Sequence, residues 1–204
     1  GSDADDAAAM EVSDGVEASG SDADGDAFVD SLRVLGQSIV EQREQGGPVD
    51  ARAMDPLQRA AAQGYPEAQF ILSRVLLGGG PEDATEAGRL LQLAAEQGHT
   101  GAQFLLGVCH VRHVPSGMPK DSQLARQWLR PLAAQGHTEA QVVLAGIHVF
   151  DKEFTEARGL LHLAVATGHG MAQFLLACLY GTGQGGPEAT TEALRLLSLA
   201  GYGE

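Results

Sequence analysis

The chain has 204 residues, of which 27 are acidic and 13 are basic, so its formal net charge at pH 7 is −14. The acidic excess lies at the start, because residues 1–30 contain ten Asp and Glu and no Lys or Arg, while the rest contains 17 acids and 13 bases. A polyanionic arm without a compensating basic run argues against nucleic-acid binding. No run of about 20 apolar residues predicts a direct membrane span.

Residues 1–25 consist mostly of Asp, Ala, Ser and Gly. Such a segment has too little apolar surface to offset the backbone entropy lost on folding, about 1–2 kcal/mol per residue, so we predict a disordered acidic leader. It is either an interaction tail, a spacer that follows an anchor, or a solvated segment without a role. Its first residues, Gly1-Ser2, are typical of the remnant of a cleaved tag, so the start of the sequence does not show whether the protein is exported.

Residues 26–47 are predicted to form a helix. Apolar side chains recur there at helical spacing, and Gly46-Gly47-Pro48 ends the pattern. Because the first unit of a repeat array needs one polar face, we interpret this segment as an N-terminal capping helix. Its apolar stripe comprises Phe28, Val29, Leu32, Leu35, Ile39 and Val40.

From residue 48 to residue 204 the chain repeats one short pattern, an alanine-rich helix end that closes in Gly and is followed by an Ala-Gln pair. The four glycines are 34, 38 and 32 residues apart, and the Ala-Gln pairs keep these intervals. Such periods are typical of helical repeat arrays, in which one unit cannot bury its own apolar face. We therefore predict an all-α solenoid of about four and a half units. The repeated structural positions are Gly64, Gly98, Gly136 and Gly168, with Ala68, Ala102, Ala140 and Ala172.

Each unit is predicted to contain two helices, A and B, joined at the repeated glycine. Glycine just past the end of helix A can take the left-handed conformation that closes a helix. Helix A is predicted at 51–63, 83–97, 121–135, 153–167 and 188–201, and helix B at 66–78, 100–113, 138–150 and 170–181. The loops from B to A contain all of the variation in repeat length, which is where solenoids tolerate insertions.

The third unit shows the pattern most clearly. It reads Ala125-Arg126-Gln127-Trp128, then Ala133-Ala134-Gln135-Gly136, then Ala140-Gln141, with Trp128 at the bulky position of helix A. This pattern resembles the Sel1-like repeat, a relative of the tetratricopeptide repeat, over residues 51–204. The resemblance implies a right-handed superhelix of helical hairpins that acts as a non-catalytic adaptor or inhibitor. In the first three units the family's helix-B tyrosine is replaced by Leu76, His110 and His148.

Arginine is concentrated on the predicted A helices. We expect these helices to line the concave wall and their side chains to contact carboxylates of a partner protein, where a buried arginine can contribute about 2 kcal/mol or more. The alternative is a solvated face whose arginines pair within their own helix. The candidate partner-binding residues are Arg59, Arg89, Gln92, Arg126, Arg130, Arg158, His162 and Arg195.

No catalytic, cofactor or metal site is predicted. Cys109, His110 and His113 are close in sequence, but no further ligand accompanies them, and His110 stands where the family has a core tyrosine. Residues 181–186 formally match a dinucleotide fingerprint, yet predicted helices flank them on both sides, where the fingerprint requires a preceding strand. A histidine recurs at the turn before helix B, which favours a role in packing or in hydrogen bonding at the helix start. These histidines are His99, His137 and His169.

We therefore expect a protein-protein interaction module without catalytic activity, monomeric when unbound. The resemblance implies a sharper hypothesis, because exported proteins of this kind include immunity proteins that neutralise type VI secretion phospholipase effectors, in the periplasm or cell envelope. The alternative function is a cell-envelope scaffold or regulatory adaptor that binds an extended peptide or a secretion component, and the alternative compartment is the cytoplasm. An enzyme related to penicillin-binding relatives ranks last, since the chain lacks their paired cysteines.

Overall fold

The computed structural model describes residues 22–44, 51–77, 79–112, 119–184, 189–199 and 201. Over these ranges the chain forms ten α-helices and no strand. The helices are α1 (Asp22–Glu44), α2 (Ala51–Ala62), α3 (Pro66–Leu76), α4 (Pro81–Glu96), α5 (Thr100–Val111), α6 (Ser122–Ala134), α7 (Thr138–Phe150), α8 (Phe154–Ala166), α9 (Gly170–Gly181) and α10 (Ala189–Leu199).

The helix predicted at residues 26–47 corresponds to α1, which begins earlier, at Asp22. It packs against both α2 and α3. Its buried side chains Leu32 and Ile39 join the first core cluster of the stack, as the apolar stripe in the sequence indicates. Residues 1–21, most of the predicted leader, lie outside the described residues.

From α2 to α9, each helix packs against the helix before it and the helix after it. The predicted A helices are the even-numbered helices, and the predicted B helices are the odd-numbered ones; we refer to them as the even-numbered and odd-numbered layers. The most extensive packing joins α3 to α4, α5 to α6, α7 to α8 and α9 to α10. The predicted all-α solenoid is confirmed.

The turn from an even-numbered to an odd-numbered helix closes in the same way each time. Gly98 has a φ of +86° and donates to the carbonyl of Ala95 at 3.0 Å, while the next N–H, that of His99, donates to the carbonyl of Ala94 at 3.0 Å. This pair of bonds satisfies carbonyls that a helix end leaves open, and its geometry requires a left-handed residue, for which glycine has no steric cost. The values of φ at Gly64, Gly136 and Gly168 are +91°, +88° and +81°.

The core runs along the whole stack between the two layers. Ala68, Ala102, Ala140 and Ala172 are completely buried, and their small side chains let neighbouring helices approach closely. One cluster contains Leu91 and Leu106, and side chains from the units on either side, Phe70 and Trp128, pack against it. Each unit is therefore buried partly by its neighbours, as a solenoid requires.

Candidate partner-binding surface

The recurrent histidine holds two helices at once. While its backbone N–H closes α4, the Nδ1 atom of His99 accepts a hydrogen bond from the N–H of Ala102 in the first turn of α5, at 3.1 Å. A neutral histidine that accepts through Nδ1 carries its proton on Nε2, and this nitrogen donates to Glu67 at 2.7 Å. The same cap forms between His137 and Ala140 and between His169 and Ala172. All three histidines are N-caps.

The glutamine of the Ala-Gln pair forms a hydrogen bond at the same turn. Gln103 Nε2 donates to the carbonyl of Ala95 at 3.1 Å, which is the same carbonyl that accepts from Gly98. Equivalent bonds join Gln69 to Ala61 at 3.3 Å and Gln141 to Ala133 at 3.1 Å. The amide thus ties the first turn of one helix to the last turn of the previous one. The most repetitive residues of the chain are used inside the stack and are not available to a partner.

Several of the predicted contact residues pair within their own helices. Arg89 forms hydrogen bonds of 2.8 and 2.6 Å with Glu86, three residues away on the exposed face of α4. Arg195 pairs with Glu192 in the same way on α10, and Gln92 donates to Glu96 at 2.9 Å. Exposed pairs of this spacing contribute only about 0.3–0.5 kcal/mol. These contacts are the ones expected for a solvated helix face, the alternative that the sequence left open.

The other predicted contact residues also lie on the even-numbered layer. Arg59 and Arg130 are exposed, and Arg158 is half-buried. The exposed His162 has its Nε2 atom 3.0 Å from the hydroxyl of Tyr180, so it links α8 to α9. A partner-binding role for these four side chains stays a prediction.

Arg126, also a predicted partner-binding residue, is the exception, because it is buried. Only 6% of the residue is exposed, and its guanidinium donates to Asp151 and, at 3.0 Å, to Glu153. Both carboxylates lie in the three-residue loop between α7 and α8, which is short enough to bring them over α6. Hydrogen bonds from His148, at 2.6 Å, and from Arg126 lower the pKa of Glu153 below its ordinary value. Arg126 therefore joins two neighbouring units.

An apolar groove opens on the odd-numbered layer, where the sequence predicted no site. It has a volume of about 380 Å³, and its lining comes mainly from α7, with the last residue of α5, the first residue of α6 and two residues of α9. Phe150 and Met171, which line it, are 78% and 53% exposed. Two cationic side chains, Arg112 and Lys120, also line it. Its other apolar side chains are Val111, Val142, Val143, Ile147 and Leu175.

One feature of the sequence could have indicated this groove. Residues 142–150 of α7 contain a single polar side chain, that of His148. A helix with one buried face needs only one apolar stripe, so a helix that is apolar almost all round has a second face to cover. In the structure that second face is the groove.

Although α6 separates them in the chain, α5 and α7 also contact each other directly. That the arginine-bearing, even-numbered layer forms the concave wall stays a prediction.

The described residues contain no cluster of three or more His, Cys, Asp or Glu that could hold a metal ion. Cys109 is buried in the core, and His110 Nδ1 donates to the carbonyl of Pro119 at 2.9 Å; His113 lies outside the described residues. The formal fingerprint at 181–186 starts at the last residue of α9 and precedes α10, so no strand leads into it. None of the described helices combines the length and apolar character needed to cross a membrane.

Comparison with known proteins decides the family. A model of the Sel1 repeat matches residues 66–99, 100–137 and 170–203, just over half of the chain. The chain belongs to the Sel1 repeat family. No curated protein sequence matches it.

Two solved structures share this Sel1 fold. One is a protective antigen present in uropathogenic Escherichia coli strains, described as displaying an SLR fold, with a TM-score of 0.69 and 24% identity over 88% of the present chain. The match covers 39% of that antigen, so the present chain spans about two fifths of its length. The other is a Sel1 repeat protein from Oxalobacter formigenes, with a TM-score of 0.64, 24% identity and coverage of 82% of this chain and 67% of that one.

The matched Sel1 repeats pair each odd-numbered helix with the even-numbered helix that follows it, and these are also the most closely packed pairs. Residues 138–169, which comprise α7 and α8, keep the same turn and cap but fall outside the three matches. This unit contains the short loop that binds Arg126 and the helix at the centre of the groove. The unit outside the family matches thus supplies α7, the helix that contributes most to the lining of the groove.

Proposed function

We propose that this protein is a non-catalytic binding module whose partner contacts the odd-numbered layer. Sel1 repeats indicate a protein-interaction module. The observation that supports this wall is the exposure of Phe150 and Met171 beside an apolar groove. Large apolar side chains grouped around a concave surface are typical of binding sites, whereas single exposed ones are ordinary.

The histidines and the buried arginine favour binding over catalysis. Each turn histidine uses its Nδ1 atom to cap a helix, and the guanidinium of Arg126 is held by two carboxylates. A general base or nucleophile needs a partner group aimed at a pocket that substrate can enter. In the part of the chain that the structure describes, these groups are instead aimed at helix ends and at each other.

The narrower proposal is an immunity or inhibitor protein that neutralises a secreted, phospholipase-like effector, located in the periplasm or cell envelope. It rests on the resemblance to exported Sel1-like proteins and on a surface suited to grip another protein. The candidate effector is the product of the secreted phospholipase gene nearest in the parent genome. The test mixes the two purified proteins and measures complex formation by size-exclusion chromatography and lipid hydrolysis by the effector.

We expect a stoichiometric complex and loss of phospholipase activity. A phospholipase that stays fully active in the presence of excess protein, with no shift in elution volume, would contradict the immunity role. Fractionation of cells that express the natural gene tests the compartment, because recovery only with cytoplasmic markers would contradict a periplasmic or envelope location.

A second candidate is a cell-envelope scaffold or adaptor that binds an extended peptide. The groove favours it in one respect, because residues of three consecutive odd-numbered helices line it and it is open to solvent. Titration with peptides distinguishes the two: a scaffold binds an isolated segment of its partner nearly as tightly as the whole partner, whereas an inhibitor needs the folded effector.

A further inference from the structure

We infer that the groove formed by α5, α7 and α9 is the docking site for a short segment of a partner protein that presents a large apolar side chain next to a carboxylate. This inference rests on the proposed binding function and specifies the chemistry of the partner. It follows from the shape of the groove floor, from the exposure of its edge and from the charge of its lining.

The floor of the groove has room because of one glycine. A Cβ atom added to Gly146 would meet no other atom within 4 Å, so at this position α7 exposes its backbone side to open space inside the groove. Val142 and Ile147 of the same helix and Leu175 of α9 line the groove with it. A volume of about 380 Å³ lies within the range of ligand pockets, roughly 300–1,000 Å³, and accommodates a large side chain with part of its backbone.

The edge of the groove is apolar and uncovered. Phe150 has 78% of its surface exposed and Met171 has 53% exposed. Tyr and Phe rings and flexible Met side chains are enriched where proteins bind apolar anchors of other proteins. Both side chains therefore offer apolar surface to an anchor that enters the groove.

The positive charge of the groove lining predicts the second feature of the partner segment, a carboxylate next to its apolar side chain. Arg112 and Lys120 are exposed, and within the described ranges neither forms an ion pair with a carboxylate. The Nζ atom of Lys120 lies 5.9 Å from the centre of the Phe150 ring, so a positive charge stands directly beside the apolar edge. A carboxylate adjacent to the anchor would therefore find its counter-charge at the groove.

The overall charge limits how acidic the partner segment is. With a formal net charge of −14, the protein repels polyanions at long range. One or two carboxylates next to an apolar anchor gain the local attraction of Arg112 and Lys120 without a large long-range penalty. A polyacidic or nucleic-acid partner does not fit.

The test uses fluorescence polarisation with a ten-residue fluorescein-labelled peptide that contains adjacent leucine and phenylalanine residues flanked by two aspartates. Two control peptides replace the aspartates with lysines or the two apolar residues with serines. We expect saturable binding of the first peptide, roughly tenfold weaker binding of the lysine peptide, and no saturable binding of the serine peptide. Equal binding of the aspartate and lysine peptides, or no binding of either at millimolar concentration, overturns the inference.

Matched substitutions locate the binding site. Gly146→Leu fills the groove and should weaken binding about tenfold or more, as expected for loss of a central anchor pocket. Gly159→Leu is the control, because Gly159 is an exposed mid-helix glycine of α8 with equally open space around its Cβ position. Arg112→Glu should weaken binding about tenfold, with Arg130→Glu on α6 as its control. Circular dichroism confirms that each variant is folded, and Gly146→Ala is the milder replacement.

Other occupants are outcomes of the same experiments. A dimer of this chain that Gly146→Leu dissociates would make the groove an interface between copies and overturn the inference. The effector assay distinguishes failure of the inference from failure of the proposed function. If Gly146→Leu leaves an effector complex intact, the groove is not the docking site, but the proposed function stands. If the peptide binds but no effector complex forms, the immunity role is refuted, but the groove remains a docking site.

Discussion

Glu67 and His99 lie at the two ends of one Sel1 repeat, and their side chains meet, with Oε2 of the glutamate 2.7 Å from Nε2 of the histidine. The other carboxylate oxygen accepts a hydrogen bond from Arg33 Nε of α1 at 2.8 Å. Partial burial raises the pKa of Glu67, but the hydrogen bonds from Arg33 and His99 outweigh it, and the pKa is lowered from its ordinary value. One carboxylate thus connects α1, α3 and the turn that precedes α5.

This arrangement predicts an acid-sensitive contribution to stability. Because the pKa of Glu67 is lower in the folded protein than in the unfolded chain, the carboxylate stabilises the fold above the ordinary glutamate pKa, and this stabilisation is lost as the pH falls through the lowered pKa. Glu67→Gln should reduce the free energy of unfolding by about 1 kcal/mol at neutral pH. Urea unfolding at pH 7 and at pH 3 measures the difference, which should shrink at the lower pH.

The control for this prediction is Glu86→Gln. The pKa of Glu86 is also lowered, by its hydrogen bond with Arg89, but both side chains are exposed on one helix. Loss of the Glu86–Arg89 pair should change the free energy of unfolding by less than about 0.5 kcal/mol at neutral pH. A Glu67→Gln penalty that is the same at both pH values would rule out the proposed role of the carboxylate.

The turn glycines predict a second stability effect. Gly98 has a φ of +86°, and a Cβ atom added there would meet nothing within 4 Å. The cost of Gly98→Ala is therefore a backbone cost, about 1–2 kcal/mol for a left-handed residue. Gly159→Ala, in the middle of α8, should instead stabilise the protein by about 0.5–1 kcal/mol. Thermal unfolding of the two variants should shift the midpoint in opposite directions, and a shift in the same direction contradicts this account.

The sequence predicts the fold well because the repeated features are local. A left-handed φ requires glycine, an N-cap requires a side-chain acceptor, and both lie within a few residues of the helix ends that they define. The predicted helix B at 66–78, for example, is α3 at Pro66–Leu76. Because the same glycine turn and N-cap recur with the repeat, an α-solenoid can be predicted without knowledge of long-range contacts.

The binding surface depends on contacts between units, which a period does not reveal. Arg126 occupies an ordinary helix position, and it is buried only because a loop 25 residues later is short and carries Asp151 and Glu153. The groove likewise needs side chains from three odd-numbered helices and the absence of a Cβ at Gly146.

The N-cap formed by His137 predicts that different substitutions of this residue lower the free energy of unfolding by different amounts. His137→Ala removes the acceptor for the N–H of Ala140 and also the ring that stacks on Phe104, whose centre is 5.0 Å away. Loss of an N-cap costs about 1 kcal/mol, and loss of an aromatic pair adds about 0.5–1.5 kcal/mol. His137→Asn should recover the first part, because asparagine is a good N-cap, but not the second.

Urea unfolding measures this series. The free energy of unfolding should decrease in the order wild type, His137→Asn, His137→Ala. An asparagine variant that is no more stable than the alanine variant would show that the Nδ1 hydrogen bond does not contribute. Phe104→Leu in each background isolates the stacking, since it should cost less in the two variants than in the wild type.

The buried cluster at Arg126 predicts a loss of stability without a direct loss of binding. Arg126→Lys keeps the charge, but a single ammonium group cannot bridge two carboxylates in the manner of a guanidinium. We expect a decrease of about 2 kcal/mol in the free energy of unfolding. This is less than the 3–5 kcal/mol for breaking a fully buried pair, because the side chains of Asp151 and Glu153 are 36% and 45% exposed.

Arg130→Lys, on the exposed face of the same helix, is the matched control and should leave the free energy of unfolding unchanged. The pKa of Glu153 is lowered by hydrogen bonds from His148 and Arg126, so the contribution of the cluster is fully present above the ordinary glutamate pKa and is lost as the pH falls through the lowered pKa. The Arg126→Lys penalty should therefore be smaller at pH 3 than at pH 7.

When both variants are folded, each should bind the acidic-apolar peptide like the wild type, since Arg126 is 6% exposed and does not line the groove. If folded Arg126→Lys alone binds the peptide more weakly, Arg126 takes part in partner binding and this prediction is wrong.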